Sequence, residues 1–341
     1  MNTYTVKRLL GVLLLLFVSG CCHRDCPVNW RPNALFPVFY GHKDYLTDDG
    51  APGPCRVFYP SLDGAPLNAP VLEGCCKYPL IILVHGHCDE EEHYKKWFLQ
   101  AAQLARSGFV VVVPQIPSIG THPSEESHPG LARLSEIRNW VLNTWEHHEL
   151  VHSFTGIAGH SYGALLGARF AKTDADIKAY ASLSGVWENW PSGPLPVMSL
   201  NLPTLFIRGN DPFGDFSTGV GHFWNSLPVP KHQAVFQGGF HWDYLPSGAT
   251  NCEQSVGGRG DCSSTSILST ELLSMFFGKY LRKSNRPYAR IPNSLIPPDL
   301  TLTSEQQFYA GGGHLTYLKN TNCSLTLSWK TNEGSGTHTF P

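Results

Sequence analysis

A chain of 341 residues, 42% hydrophobic and 15% charged, is long enough to bury one large core with a small appendage. Its formal net charge is −2 with no long run of either sign, which excludes both the basic footprint of a nucleic-acid binder and a strongly acidic tail. The nine Trp, 13 Tyr and 18 Phe suit an enzyme with a substantial apolar cleft, and would equally suit any compact core.

Residues 1–20 read as an address. Lys7 and Arg8 are followed by an apolar run over 9–18 that falls short of the ~20 residues a membrane-spanning helix needs. The run ends in Val18-Ser19-Gly20-Cys21, which resembles the lipobox of bacterial lipoproteins. That resemblance implies removal of the signal, lipidation of Cys21 and export, with Cys22 in the next position favouring the outer membrane of a Gram-negative source. In an oxidising compartment the chain's ten cysteines, Cys21 apart, read as disulfide candidates. Cys252 and Cys262 flank a Gly-rich loop and are the expected pair; Cys55, Cys75, Cys76 and Cys88 lie close enough in sequence for one or two more bridges.

Residues 21–50 carry Pro, Asn, Asp and Gly without periodicity and read as a tether and irregular lead-in. Residues 55–59 alternate like a strand and stop at Pro60. The continuous apolar run over 80–84 marks a strand buried on both faces, and 109–113 marks another. Between them, residues 94–106 have helical spacing; 131–145 form a second helix with Leu134, Ile137, Val141 and Trp145 on its apolar stripe. Strands follow at 155–158, 177–183, 204–207 and 234–236, with helices at 164–172 and 266–281. Strands alternating with helices, most of the strands apolar throughout, predict an α/β domain over 51–284 with a mostly parallel sheet covered on both faces. From residue 285 a Pro-rich linker leads to alternating residues such as Leu315, Tyr317, Leu325, Leu327 and Trp329, a small β-rich segment ending at 341.

The chemistry centres on Gly159-His160-Ser161-Tyr162-Gly163, where a buried strand meets a helix. G-x-S-x-G in that context is a nucleophile elbow, with glycines where side chains would strike the neighbouring backbone and the serine hydroxyl at the apex. Near pH 7 a serine needs a base, and the base an orienting acid. The chain order Ser…Asp…His points to Asp211, just past the strand at 204–207, with Asp215 as the competing acid. The base is His241, on the Gly-rich loop after the strand at 234–236; His222 and His232 compete less well, one in a helical stretch and the other at a strand start. For the oxyanion, the backbone N–H of Tyr162 and that of His87 are the expected donors, with Gly86 permitting close approach. His85, His87, Cys88, Asp89 and His93 resemble a metal cluster in composition but lack a paired ligand motif, so neither metal nor cofactor is expected.

Ser161, Asp211 and His241 in that order, with His85-Gly86 upstream, resemble the α/β-hydrolase superfamily. Val57-Phe58-Tyr59-Pro60 ahead of Pro79 to Gly86 is similar to platelet-activating-factor acetylhydrolase-like, dienelactone-hydrolase-like and polyester-hydrolase-like esterases over about residues 52–284. The resemblance implies a serine esterase acting on small esters; the lipobox adds a membrane anchor through Cys21, the charge pattern gives no nucleic-acid partner, and no protein partner is identifiable. Ser161 where dienelactone hydrolases carry Cys disfavours that activity. A serine peptidase, an acyltransferase and a non-catalytic binding lipoprotein are the competing readings. Residues 184–203, rich in Trp and Pro, are too short for a separate helical cap, which leaves an open cleft with Trp187 as a candidate wall for the substrate.

Overall fold

The computed structural model describes residues 39–61, 65–72, 77–87, 93–117, 128–185, 188–189, 193–194, 200–209, 224, 227–228, 230–236, 241–244, 263–282, 300–305, 307–308, 313–321, 324–331 and 334–340. The strands are β1 (Phe39–Tyr45), β2 (Cys55–Ser61), β3 (Tyr78–Val84), β4 (Val110–Pro114), β5 (Val151–His160), β6 (Ile177–Leu183), β7 (Glu188–Asn189), β8 (Gly193–Pro194), β9 (Thr204–Gly209) and β10 (Lys231–Phe236), followed by β11 (Leu300–Glu305), β12 (Gln307–Phe308), β13 (Gly313–Thr321), β14 (Ser324–Thr331) and β15 (Gly334–Phe340). The helices are α1 (Phe98–Arg106), α2 (Pro129–Asn143), α3 (Tyr162–Thr173) and α4 (Ser263–Leu281).

The first part of the main sheet runs β1-β2-β4-β3-β5-β6-β9-β10, and from β4 to β10 every neighbouring pair is parallel. The continuous apolar runs explain this architecture. In β3, Leu80, Ile82 and Val84 enter the core on one face while Ile81 and Leu83 enter the core on the other. In β4, Val110 and Val112 oppose Val111 and Val113 in the same way. A strand whose period-2 alternation puts apolar groups on both sides needs a helical layer on each. Leu134, Ile137 and Val141 of α2 and Leu165 and Ala168 of α3 cover the first face. Ala101 and Leu104 of α1 and Leu272, Phe276 and Phe277 of α4 cover the second. The crossover order places the loops that follow β3, β5, β6, β9 and β10 at one edge, the carboxyl ends of the parallel strands, where ligands bind in such sheets.

Three expectations need correction. The segment read as an irregular lead-in contains β1, which pairs antiparallel with β2 from Phe39↔Ser61 to Tyr45↔Cys55. It is the edge strand, with Phe39 exposed and only part of its length buried, so it lacks the apolar run that signals a central strand. β2 continues through Pro60, because its pairing with β4 is confined to Cys55–Phe58 and the missing proline N–H breaks no ladder bond there. Cys55 is a free thiol rather than a bridge partner. It is an apolar core residue at the start of β2, and burial pushes its thiol up to about 12. The other cysteines, including Cys21, Cys252 and Cys262, lie outside the described residues.

Beyond β10, β11 adds antiparallel from Lys231↔Glu305 to Phe236↔Leu300, and β13, β14 and β15 continue the same sheet. The alternating residues after 304 thus fall in strands, and their backbone pairing carries on from the parallel part of the sheet. Among the described residues no helix is long and apolar enough to cross a membrane.

Candidate functional site

Ser161 sits between the end of β5 and the first residue of α3, with φ 56° and ψ −126°. A non-glycine residue in that region stores about 1–3 kcal/mol of strain and persists only where its surroundings dictate it. Two kinds of contact do so here. The Ser161 N–H donates to the Leu183 carbonyl at the end of β6, 3.1 Å away. The backbone also closes tightly around the turn: a Cβ on Gly159 would lie 2.2 Å from the Gly163 oxygen, and one on Gly163 would lie 2.2 Å from the His85 oxygen. Only glycine fits at either position, which is the steric reason for the spacing seen in the sequence.

The loop after β3 packs directly onto this turn. A Cβ on Gly86 would meet Ser161 Cβ and His160 Nδ1, each at 2.9 Å, so the absence of a side chain there lets the loop reach the serine. The hydrogen bonds fix the orientation of this loop. The Ile116 N–H donates to His85 Nε2 over 2.9 Å, so the His85 proton is on Nδ1, which donates to the Gly86 carbonyl at 2.8 Å. His93 Nδ1 donates to the same carbonyl at 3.2 Å. In a trans peptide the Gly86 oxygen and the His87 N–H point in opposite directions. Two imidazole donors on the oxygen therefore turn the His87 N–H away from the buried histidines. Burial holds both rings neutral, His85 down to about 4 and His93 down to about 2. With both nitrogens of His85 bonded to backbone, that ring has no lone pair left for a metal, and among the described residues there is no group of three metal-capable side chains.

Tyr162 opens α3, in the first turn, where helix N–H groups have no intrahelical partner. Its half-buried ring meets the exposed ring of His87 edge-on, centroids 5.9 Å apart, so the loop after β3 and the start of α3 touch through these two side chains.

His241 comes to the same place from the other end of the domain. It begins the turn His241–Tyr244 after β10 and is buried. His160, the residue before the serine, donates from Nε2 to the His241 carbonyl at 2.7 Å, and the two rings lie 4.7 Å apart. Trp242 packs on both rings, at 4.8 Å from His160 and 5.1 Å from His241. The Ser161 turn thus grips the His241 loop through the side chain of the residue before the serine. Burial pushes His241 down to about 3, so the ring is a neutral acceptor through the physiological range. The competing His232 points elsewhere: it lies on β10 against α4, with Nε2 2.6 Å from the Tyr280 hydroxyl. His222, Asp211, Asp215 and Trp187 lie outside the described residues; β9 ends at Gly209, two positions before Asp211.

Sequence reasoning missed two members of this cluster. His160 stood inside the motif but carried no separate signal. Ser184, the first residue after β6, had none: its hydroxyl is 2.9 Å from His241 Nδ1.

A parallel sheet with helices on both faces, a strained serine elbow and a histidine loop at the carboxyl ends define the hydrolase class of this architecture. A profile of the alpha/beta hydrolase family matches residues 81–318, well over half of the chain. The chain belongs to the α/β-hydrolase family. Among solved structures it is similar to a ferulic acid esterase from Streptomyces cinnamoneus, with a TM-score of 0.58 and 17% identity over 80% of this chain and 98% of that one. At that identity the likeness concerns the fold. Comparison with curated protein sequences finds no match.

Proposed function

We propose that the chain is an exported, lipid-anchored serine hydrolase that cleaves carboxylic esters through an acyl-enzyme on Ser161. The observation that carries this reading is the strained Ser161 turn tied to the His241 loop through His160. Ser161 Oγ attacks the ester carbonyl as its proton passes to His241 Nε2. The negative charge growing on the carbonyl oxygen is met by the N–H groups of Tyr162 and His87. The imidazolium then gives its proton to the leaving alcohol, and water repeats the sequence to release the acid. Asp211, just beyond the carboxyl end of β9, orients His241 in this reading, and Trp187 walls the acyl side.

Two experiments test it. A fluorophosphonate reagent should modify the protein once, and peptide mass spectrometry should place the adduct on Ser161; an unmodified Ser161 refutes the nucleophile. In a p-nitrophenyl ester series, acetyl to butyryl esters should be the best substrates. The interval between β6 and β9 spans 184–203 and holds the short strand pair β7–β8, too little chain for a separate helical cap. In an open cleft each acyl methylene left in water forgoes about 0.8 kcal/mol. A maximum at dodecanoyl or longer would mean a deep acyl tunnel. Methyl ferulate belongs in the same panel, given the similar fold of the Streptomyces enzyme.

Export and anchoring rest on the charged, apolar and lipobox segments of residues 1–21. Cys21→Ala should leave uncleaved precursor or release the protein from membranes, since durable attachment takes more than one acyl chain. Wild-type protein recovered wholly in the soluble fraction without detergent would refute the anchor.

A further inference from the structure

Ser184 follows β6 and is the only non-glycine residue besides Asn68 and Ser161, among the described residues, whose backbone has positive φ, at 44°. It is fully buried, so no solvent contact explains its polar side chain. Its own N–H donates to the Ile207 carbonyl of β9 at 2.8 Å, which fixes the residue at the carboxyl edge of two neighbouring parallel strands. Glycine is the residue of lowest strain at such a φ, and a side chain there stores about 1–3 kcal/mol. The hydroxyl points to His241 Nδ1 at 2.9 Å.

Building on the serine-hydrolase reading, we infer that Ser184 is a positioning residue for the base: its hydroxyl accepts the proton of His241 Nδ1 and so holds the Nε2 lone pair toward Ser161. The chemistry requires this tautomer. Only the Nδ1–H form offers an unprotonated Nε2 to the serine hydroxyl, and the Nδ1–H needs an acceptor in a buried site. An orienting carboxylate at the same Nδ1–H would share that one proton with Ser184 in a three-centre bond. Two anchors act on the ring from different elements: His160 on β5 holds the backbone carbonyl, and Ser184 beyond β6 holds the side chain. Among the described residues, the titratable group facing the ring from another element is His160 on β5, and Asp243 lies two positions on in the same turn.

The test uses Ser184→Gly and Ser184→Ala in the full chain. Both remove the hydroxyl, but only glycine relieves the positive φ, so thermal stability should rank Gly above Ala while the kinetic defect is the same. A net hydrogen bond of ordinary strength corresponds to roughly a three- to tenfold loss. The loss should fall on kcat with KM unchanged. Nitrogen-15 spectra of histidine-labelled protein should show His241 moving toward the Nε2–H tautomer in both variants. Wild-type kcat together with an unchanged Nδ1–H population overturns the role of Ser184. A defect that tracks stability, present in Ala and absent in Gly, also overturns it, because it makes the residue structural. A wild-type protein without esterase activity, in spectra that still show the tautomer shift, sinks the hydrolase reading and leaves the positioning of the ring by Ser184 standing.

Discussion

Ser161→Ala should lower ester turnover by about 10⁴–10⁶, the usual loss when a triad nucleophile is removed, while leaving a folded protein. Ser161 is buried, but alanine keeps its Cβ and loses only the hydroxyl. The turn is held by backbone contacts instead: the Ser161 N–H on Leu183, the Ala164 N–H on the Ser161 carbonyl, and the glycines that let β5 and α3 approach the β3 loop. Alanine keeps all of these and meets the positive φ with the same Cβ that serine already carries. Thermal unfolding should therefore stay within about 1 kcal/mol of wild type, the scale of losing one hydroxyl without a change of backbone or Cβ. In the proposed mechanism the oxyanion donors are backbone groups that survive the substitution, so a residual rate above that of water is expected from them. A variant that keeps a tenth of the activity would show that the attacking group is elsewhere. An unfolded variant would show that the hydroxyl has a structural bond that the geometry of the elbow does not require.

The central sheet was legible in the sequence because its strands are apolar on both faces. Residues 80–84 and 109–113 have no polar alternation to mislead, and only a sheet with helices on both sides can bury them. The elbow was legible because a Cβ at either glycine would fall 2.2 Å from a backbone oxygen, which leaves a fixed glycine spacing in the chain. What escaped was set by tertiary position. β1 is a half-exposed edge strand with Lys43 and Asp44 in it, and nothing local separates it from a polar loop. Cys55 read as a bridge candidate from the redox compartment, whereas burial in the β2 core makes it a small apolar residue. Ser184 could not be found at all: a lone serine after a strand is ordinary, and only the fold brings it to an imidazole 57 positions away. The two imidazole donors on the Gly86 carbonyl are of the same kind, since His85 and His93 looked like candidate ligands in sequence and serve as backbone clamps in space.

Below pH 6 the protein should lose its fold before His241 takes its proton. An unperturbed histidine base gives an acid limb at about pH 6–7. Here burial holds His241 down to about 3, and the neutral form needed to accept the Ser161 proton persists well below pH 6. The same burial acts on His85, down to about 4, on His93, down to about 2, on His232, down to about 3, and on His160, well below its ordinary value. The sign follows from linkage: below pH 6.5 the unfolded chain binds a proton at each of these rings, and the folded chain does not until the pH falls through the depressed value. Stability is therefore complete above about pH 6.5 and declines as the pH falls, by roughly 1 kcal/mol per pH unit for each ring. Five rings acting together exhaust the ~5–15 kcal/mol of an ordinary domain within two or three pH units. Asp44, lowered by its bond to Arg56, adds the same sign only at still lower pH. Activity and circular dichroism should thus fall together, with a midpoint at about pH 4–5. A kcat that titrates near pH 6–7 while the dichroism is unchanged would show that His241 is not held neutral by burial. His232 offers a separate check because it lies on β10 against α4, away from the elbow. His232→Gln keeps a polar partner for the Tyr280 hydroxyl and removes one proton acceptor from the unfolded chain. It should leave kcat at pH 8 unchanged and move the acid midpoint to lower pH; a midpoint that stays in place would remove the buried histidines as the cause.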